Sequence, residues 1–282
     1  MKHLTLLLSI ALLGSTAFSA KAGSFKGMPG LQLYSLRAEF AKDVPGTLKL
    51  ARDFGFRDVE LAGTCGLTPE KFKELLAANG LRPIGNHFPY ERFRDDVEGI
   101  AREAEALGLK YAGCAWIPHK DPFDESQCQA AAAVFNHAGE ALARHGIKFY
   151  YHVHGYEFQP HGDGTLFDLL MAETRPKYVS YEMDILWVVF PGQDPVKLLQ
   201  KYGRRFVMMH LKDLKKGVPT GSLSGSTDVA NDVALGTGKM NFPAIFQAAQ
   251  RAGVKYYFIE DESPSSVEQL PQSVRYLRDL RW

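Results

Sequence analysis

Hydrophobic and polar residues follow a cycle that repeats from about residue 30 to the end of the chain. Short apolar or β-branched runs, typical of buried strands, precede longer stretches with the helical spacing of apolar positions. Eight runs are predicted as strands, at Leu31–Ser35, Asp58–Leu61, Arg82–His87, Tyr111–Ala115, Lys148–Val153, Tyr178–Asp184, Phe206–Lys212 and Tyr256–Glu260. This alternation of strand and helix predicts an α/β fold.

Helical patterns fill the intervals between the predicted strands. They are expected at Val44–Phe54, Pro69–Asn79, Glu91–Leu107, Glu125–His145, Asp163–Thr174, Pro195–Tyr202, Phe242–Ala252 and Ser265–Leu280. Thr68 and Asp194 each precede a proline at the first helical position, which marks a helix start. Eight strand–helix cycles predict a single (β/α)8 TIM barrel. The rival, a doubly wound sheet, usually has a glycine-rich turn after its first strand, and Leu31–Arg37 has none.

The first 22 residues differ from this pattern and resemble an export signal. A short basic start precedes Leu4–Leu13, an apolar run too short to span a bilayer. Small residues follow and include two A-x-A-like cleavage sites. We expect cleavage after Ala20 or Ala22, hence a periplasmic or secreted protein without stable membrane insertion; the alternative is an uncleaved anchor. Residues 28–282 are then one barrel domain.

Charge and cysteine content bear on two questions, whether the protein binds nucleic acid and whether it forms disulfides. The 33 basic and 32 acidic residues give a formal net charge of +1, so no basic excess is present to hold a nucleic acid. The three cysteines, Cys65, Cys114 and Cys128, leave at least one free thiol in an exported chain. A disulfide between Cys114 and Cys128 stays open at this point, as does assembly into a homo-oligomer.

Titratable or aromatic residues stand at the carboxyl ends of nearly all the predicted strands, which is where barrel enzymes carry their chemistry. The candidates are Tyr34, Glu60, His87, Trp116, His152, His154, Asp184, His210, Lys212 and Glu260. One such residue alone is unremarkable, but His, Asp, His and Glu on four successive strands are expected to converge. Imidazole and carboxylate suit a divalent metal ion such as Mn²⁺, Fe²⁺, Co²⁺, Ni²⁺ or Zn²⁺, with Mg²⁺ a further candidate.

These strand ends resemble the xylose isomerase-like superfamily of TIM barrels, which includes sugar isomerases and epimerases, inosose dehydratases and nucleases of the endonuclease IV type. The resemblance covers roughly residues 28–280. It rests on Leu31–Arg37, Gly55–Glu60, Tyr151–His154, Glu157–Phe158, Met183–Trp187, His210–Asp213, Leu235–Lys239 and Phe258–Asp261. The pair of His210–Asp213 with Phe258–Asp261 is the most specific part of it.

The resemblance implies a metal held by Glu, Asp, His and Glu from strands five to eight. Asp184, His210 and Glu260 match three of these positions. The strand-five position departs from the family, because His152 stands near the place of the glutamate. Either His152 is the ligand instead, or Glu157 reaches in from the next loop; we expect His152.

Catalytic and binding roles are assigned from the same set of residues. Acid–base catalysis is expected of Glu157, His154 and Lys212. A lysine beside a metal has its pKa lowered, so Lys212 is a candidate acid or oxyanion donor; its alternative is a salt bridge with Asp213 or Glu182. Substrate binding is expected of Tyr34, Glu60, His87 and Trp116.

The predicted function is an exported, divalent-metal-dependent sugar isomerase or epimerase. It would move a proton on the carbon next to a carbonyl of a small carbohydrate through an enediolate. Export disfavours phosphosugars, which are chiefly intracellular. The alternative is a 3-keto-glycoside lyase or hydratase that uses the same metal for β-elimination. Charge balance opposes a nuclease, and the dense titratable rim opposes a non-catalytic sugar-binding barrel.

Overall fold

Eight parallel strands close into one barrel in the computed structural model, which describes residues 23–282. The strands are β1 (Gly30–Gln32), β2 (Asp58–Leu61), β3 (Arg82–His87), β4 (Tyr111–Cys114), β5 (Lys148–His152), β6 (Val179–Asp184), β7 (Phe206–Leu211) and β8 (Tyr256–Ile259). Neighbours in sequence are neighbours in the sheet, and β8 pairs with β1 to close it. The predicted (β/α)8 TIM barrel is confirmed. The expected signal segment, residues 1–22, lies outside the described residues.

The first strand is shorter than the sequence predicts. It ends at Gln32, whose side chain accepts a hydrogen bond from the Tyr34 amide and caps a 3-10 helix over Leu33–Leu36. The predicted strand through Ser35 is therefore wrong in its second half, because a local side-chain cap competes with the sheet. The other seven strands differ from prediction by at most one residue at either end.

Helices surround the barrel in the described part of the chain. They are Arg37–Phe40, Val44–Asp53, Pro69–Ala78, Tyr90–Asp95, Val97–Leu107, Glu125–Arg144, Leu166–Glu173, Ile185–Val189, Pro195–Tyr202, Phe242–Ala252 and Ser266–Asp279. The single helix expected over Glu91–Leu107 is two helices. Asp96 separates them, because its carboxylate accepts from the Gly99 amide and caps the second one.

Large apolar and aromatic side chains fill the barrel interior beneath the carboxyl ends of the strands. Ile84, Tyr111, Tyr150, Met208 and Phe258 form a buried cluster within it, while the larger apolar core lies between the strands and the helices. Such packing makes the barrel a solid floor and not a pore. The buried ionisable side chains Glu60, His152, Glu182, Asp184 and His210 stand above this cluster, at the carboxyl ends of the strands.

Smaller features complete the described chain. The segment after β7 begins with a hairpin that pairs Asp213–Leu214 with Asp232–Val233. Cys65 is an exposed free thiol, and Cys114 and Cys128 are buried free thiols, so the disulfide left open by the sequence is not formed. Across residues 23–282, no helix combines the length and the apolar character needed to cross a membrane.

Candidate metal centre and substrate cavity

The predicted metal-binding residues meet at the carboxyl ends of β5 to β8. Strand register explains this, because His152 lies opposite Glu182 on the next strand and Asp184 lies opposite His210. All are buried, as is Glu260 directly after β8. Buried ionisable side chains are rare unless they are paired or bind an ion.

Four side chains form what we call the ligand cluster: His152, Asp184, His210 and Glu260. His210 Nδ1 lies 3.0 Å from Glu260 Oε2 and 3.7 Å from Asp184 Oδ2. His152 Nε2 lies 3.8 Å from the same Asp184 oxygen. Within residues 23–282, the buried atoms Asp184 Oδ2 and His210 Nδ1 have no hydrogen-bond partner. Unpartnered buried atoms of this kind are costly, and a divalent cation would satisfy both, so the donor set fits the expected metal.

Glu182 lies on the opposite side of the two imidazoles. It is fully buried, with Oε2 3.1 Å from His152 Nδ1 and Oε1 3.2 Å from His210 Nε2. From the sequence, Glu182 is expected only as a possible ion-pair partner of Lys212. One signal was available, because Glu182 precedes Asp184 by two residues and therefore shares its face of the strand.

Glu60 occupies a different place from the one expected. Its carboxylate is fully buried, accepts from the Gln32 amide and the Tyr150 hydroxyl, and lies 2.6 Å from His210 Nε2. It does not line the cavity. The structure therefore places the Glu60 carboxylate against His210 and beneath the cavity, which does not favour the expected contact with substrate hydroxyls.

Lys212 also lies behind the cavity wall. Its ammonium contacts the carboxylates of Glu260 at 3.1 Å, Asp184 at 3.6 Å, Asp232 at 3.8 Å, and Glu262. Burial disfavours the ammonium, but these charges, led by Glu260, hold the pKa of Lys212 well above its ordinary value. The salt bridges of Lys212 are therefore with Glu260, Asp184, Asp232 and Glu262, and not with Asp213 or Glu182.

Asp213, one of those expected partners, has a separate task. Its carboxylate accepts hydrogen bonds from the backbone amides of Gly236, Gly238 and Met240. These contacts hold the loop that follows the Asp213–Leu214 and Asp232–Val233 hairpin. Burial raises the pKa of Asp213, although the amide donors oppose the rise.

Glu157 is not brought to the ligand cluster. Its buried carboxylate accepts from the Tyr151 hydroxyl and from the amides of His154 and Gly155. Tyr151 stands on the outer face of β5, so Glu157 lies on the helix side of the strand. Its expected role as a base, and the alternative of Glu157 as the strand-five ligand, are both opposed by this position.

A cavity of about 600 Å³ opens above the ligand cluster, a size usual for small-molecule sites. His152 and Glu260 form part of its floor. Its wall includes Tyr34, His87, Trp116, His154, Glu91 and Glu262. Three of the four residues expected to bind substrate therefore line this cavity, and Glu60 is the exception.

Two imidazoles face the cavity in different electrostatic settings. The His154 ring stacks on Trp187 at 5.1 Å, and burial, then His152, holds the pKa of His154 well below its ordinary value. His87 Nε2 lies 3.3 Å from Glu182. Burial opposes its charged form, but the nearby carboxylates, Glu60 foremost, raise the pKa of His87.

Comparison with known proteins places this geometry in context. The family model described as "Xylose isomerase-like TIM barrel" matches residues 48–280. Inosose dehydratase 2 of Bacillus cereus (strain ZK / E33L) is 28% identical over 224 residues, 76% of this chain and 72% of that protein. Inosose dehydratase of Geobacillus thermodenitrificans (strain NG80-2) is 29% identical over 147 residues, so the match spans about half of each chain, 50% and 48%.

A solved structure is similar over nearly its whole length. It is a sugar phosphate isomerase/epimerase from Parabacteroides distasonis ATCC 8503, 26% identical to this chain with a TM-score of 0.76. The alignment covers 90% of this chain and 99% of that one.

Proposed function

The chain belongs to the xylose isomerase-like TIM barrel family, as its strand-end motifs predicted, and from this premise we propose a metal-dependent isomerase or epimerase of a non-phosphorylated carbohydrate. One observation carries the proposal. Titratable groups from two sides of the barrel face a single cavity above the ligand cluster. His87 ends β3, His154 lies two residues beyond β5, and Glu260 and Glu262 lie just beyond β8.

Isomerases and epimerases need such a two-sided arrangement. A proton leaves the carbon next to a carbonyl, and a proton returns to the opposite face of that carbon or to its neighbour. His154 is our candidate for the first transfer, because its ring lines the cavity beside His152. Glu262 or His87 would serve the second transfer from another side. Tyr34 and Trp116 would hold the apolar faces of the sugar ring.

The ligand cluster, His152, Asp184, His210 and Glu260, would hold the metal. When bound, a divalent ion polarises the substrate carbonyl and lowers the pKa of an adjacent hydroxyl. Lys212 contributes from behind, where it anchors Glu260 and Glu262 in the cavity wall. Glu60 and Glu182 keep the histidines in place beneath the ligand atoms.

The charge of the cavity supports a substrate without phosphate. Among the described residues that line it, none is lysine or arginine, and three are glutamates, Glu91, Glu260 and Glu262. Phosphate sites are usually built from arginine, lysine or clustered backbone amides. An uncharged sugar is therefore the substrate class that this wall accepts at least cost.

Proton transfer in D₂O tests the proposal. The purified protein, supplied with Mn²⁺, Co²⁺ or Zn²⁺, is incubated with a panel of free aldoses and ketoses. We expect an isomer or epimer of unchanged composition that carries deuterium at the carbon next to the carbonyl, measured by NMR and mass spectrometry. His154→Ala should reduce the exchange. Products lighter by water or by a leaving group would refute an isomerase.

Elimination is the second candidate function, and a specific feature favours it. A cavity of about 390 Å³ adjoins the first and shares Tyr34 and Ala62 with it. Leu33, Phe40 and Phe72 line this second cavity, which suits an apolar leaving group. The matched relatives named inosose dehydratase are in keeping with elimination. A lyase would release phenol from a phenyl 3-keto-glucoside, and Ala41→Trp, which fills the second cavity, should raise KM for it.

We also propose that the protein is exported. Support comes from the basic start, apolar run and small residues of the first 22 positions. Cell fractionation with N-terminal sequencing tests this, and we expect a periplasmic or secreted chain that begins at Lys21 or Gly23. A cytoplasmic chain with an intact N-terminus would refute it.

A further inference from the structure

Strand β6 sends two carboxylates into the barrel, and two imidazoles lie between them. Glu182 and Asp184 are two residues apart and share one face of the strand. His152 presents Nδ1 to Glu182 at 3.1 Å and Nε2 to Asp184 at 3.8 Å. His210 presents Nε2 to Glu182 at 3.2 Å and Nδ1 to Asp184 at 3.7 Å. Each ring therefore has one nitrogen on each carboxylate.

The two ends of these rings are not equivalent. Glu60 adds a second carboxylate at His210 Nε2, 2.6 Å away, and no other ring nitrogen of the pair has so close an acceptor. On the other side, His210 Nδ1 and Asp184 Oδ2 have no hydrogen-bond partner among the described residues. On the Glu182 side each ring nitrogen has a hydrogen-bonded carboxylate, Glu182 Oε2 for His152 Nδ1 and Glu60 Oε2 for His210 Nε2, although Glu182 Oε1 has no hydrogen-bond partner among the described residues.

A carboxylate can only accept hydrogen bonds, so a ring nitrogen that it holds carries the hydrogen. His152 is then protonated at Nδ1 and His210 at Nε2. This leaves the lone pair of His152 Nε2 facing Asp184, and that of His210 Nδ1 facing Asp184 and Glu260, which lies 3.0 Å away; these two carboxylates would share the metal with the rings. Outer carboxylates that hold metal-binding histidines in this way are a general feature of metal sites.

We propose that Glu182 is a positioning residue, which selects the ligand nitrogens of His152 and His210 so that the metal binds on the Asp184 side of the rings. The inference rests on the metal site of the proposed function. Glu182 also extends to the cavity wall, since His87 Nε2 lies 3.3 Å from it. One buried carboxylate thus orients three imidazoles.

A competing arrangement exists in the same residues. His87, His152, Glu182 and His210 offer ligand atoms within 4.8 Å of one another and would make a site of three histidines and one glutamate. In that arrangement Glu182 is a ligand, and the metal binds His152 Nδ1 and His210 Nε2. The two arrangements use opposite nitrogens of the same rings, so they can be told apart.

A matched pair of variants, Glu182→Gln and Asp184→Asn, tests the role of Glu182. Each changes one buried carboxylate of β6 to an amide of the same size. With Zn²⁺ as the probe, we expect Glu182→Gln to keep one zinc per chain with an affinity about 10- to 100-fold lower, and Asp184→Asn to lose it. Loss of zinc from Glu182→Gln would make Glu182 a ligand. Wild-type affinity with only a lower Tm would make its role one of packing; either result overturns the proposal.

Histidine ¹⁵N NMR of the zinc-loaded wild-type protein reads the nitrogens directly. We expect zinc on His152 Nε2 and His210 Nδ1, with hydrogen on the other nitrogen of each ring. The reverse pattern overturns the inference and leaves a metal enzyme in place. A wild-type protein that binds no zinc, yet exchanges substrate protons in D₂O, overturns the metal site itself.

Discussion

Each face of β5 packs against one buried glutamate, and the two glutamates have different hydrogen-bond partners. On the inner face His152 meets Glu182, and on the outer face Tyr151 meets Glu157. Both glutamates are fully buried. Glu182 is surrounded by imidazoles beneath the cavity, whereas Glu157 is held by one hydroxyl and two backbone amides.

The difference shows what makes a buried carboxylate part of a site. Glu157 has all its neighbours as donors, so its environment is complete and its task is to hold the loop after β5. On the inner face, the ligand cluster together with Glu182 forms what we call the inner cluster. Among the described residues, its atoms Glu182 Oε1, Asp184 Oδ2 and His210 Nδ1 have no hydrogen-bond partner. An incomplete buried cluster favours the binding of an ion, and a complete one favours rigidity.

The largest expected effect is the loss of metal from the inner cluster. Asp184→Ala, His210→Ala and Glu260→Ala each remove one ligand, so we expect metal retention to be abolished and turnover to fall to background. Elemental analysis of the purified variants, with circular dichroism as a control for folding, measures this. If all three keep stoichiometric metal and full turnover, the inner cluster is not a metal site.

Lys212→Met tests the charge balance behind the inner cluster. It leaves Glu260 and its acidic neighbours without their cation, so the free energy of unfolding should fall by about 3–5 kcal/mol, as for other broken buried pairs. Urea denaturation in EDTA measures the change. Lys216→Met, at an exposed position of the following loop, is the matched control. An equal effect of both variants would show that the buried ammonium has no special role.

Glu157→Gln tests the outer face. One carboxylate oxygen that accepts from the Gly155 amide is replaced by an NH₂ group, so we expect about 1–3 kcal/mol less stability. The metal-to-protein ratio should stay at the wild-type value, unlike that of the Asp184 variant. Denaturation and elemental analysis of the same sample decide this. If the variant loses its metal but keeps wild-type stability, Glu157 is a metal ligand after all.

The smallest expected effect is a pH dependence of stability from Glu157. Burial raises the pKa of Glu157 above its ordinary value of 4.5, although the Tyr151 hydroxyl and the amide donors oppose the rise. The folded state then keeps a proton that the unfolded state loses, so stability falls as pH rises from 4.5 through the folded pKa. The stability advantage of wild type over Glu157→Gln should therefore shrink across that window; an advantage that grows would contradict the sign.

Local patterns predicted most of the barrel. Apolar runs and capped helices are short-range signals, and seven strands agree with prediction within one residue. Two of the errors arose where one polar side chain competes with a regular element. Gln32 ends β1, and Asp96 divides a predicted helix.

The site was harder to predict because its members are far apart in sequence. The position of Asp184, His210 and Glu260 at strand ends follows from the strand pattern once a barrel is assumed. Glu60 and Lys212 share those strand ends, yet they lie behind the cavity. The alternation of residues along a strand gives the face on which a side chain stands. It does not give the depth of that side chain along the barrel axis, or the side chains of other strands that it contacts.

The sequence by itself determined the barrel, the family and the rim that carries polar chemistry, because strand and helix periodicity and cap residues act over a few positions. Only the tertiary structure decided which carboxylates face the cavity and which are enclosed. That choice depends on contacts between distant strands, such as Glu60 with His210 and Lys212 with Glu262. It also moved Glu157 to the outer face of β5 and brought Glu182 to the histidines, since the two sides of a strand are separated by the sheet itself.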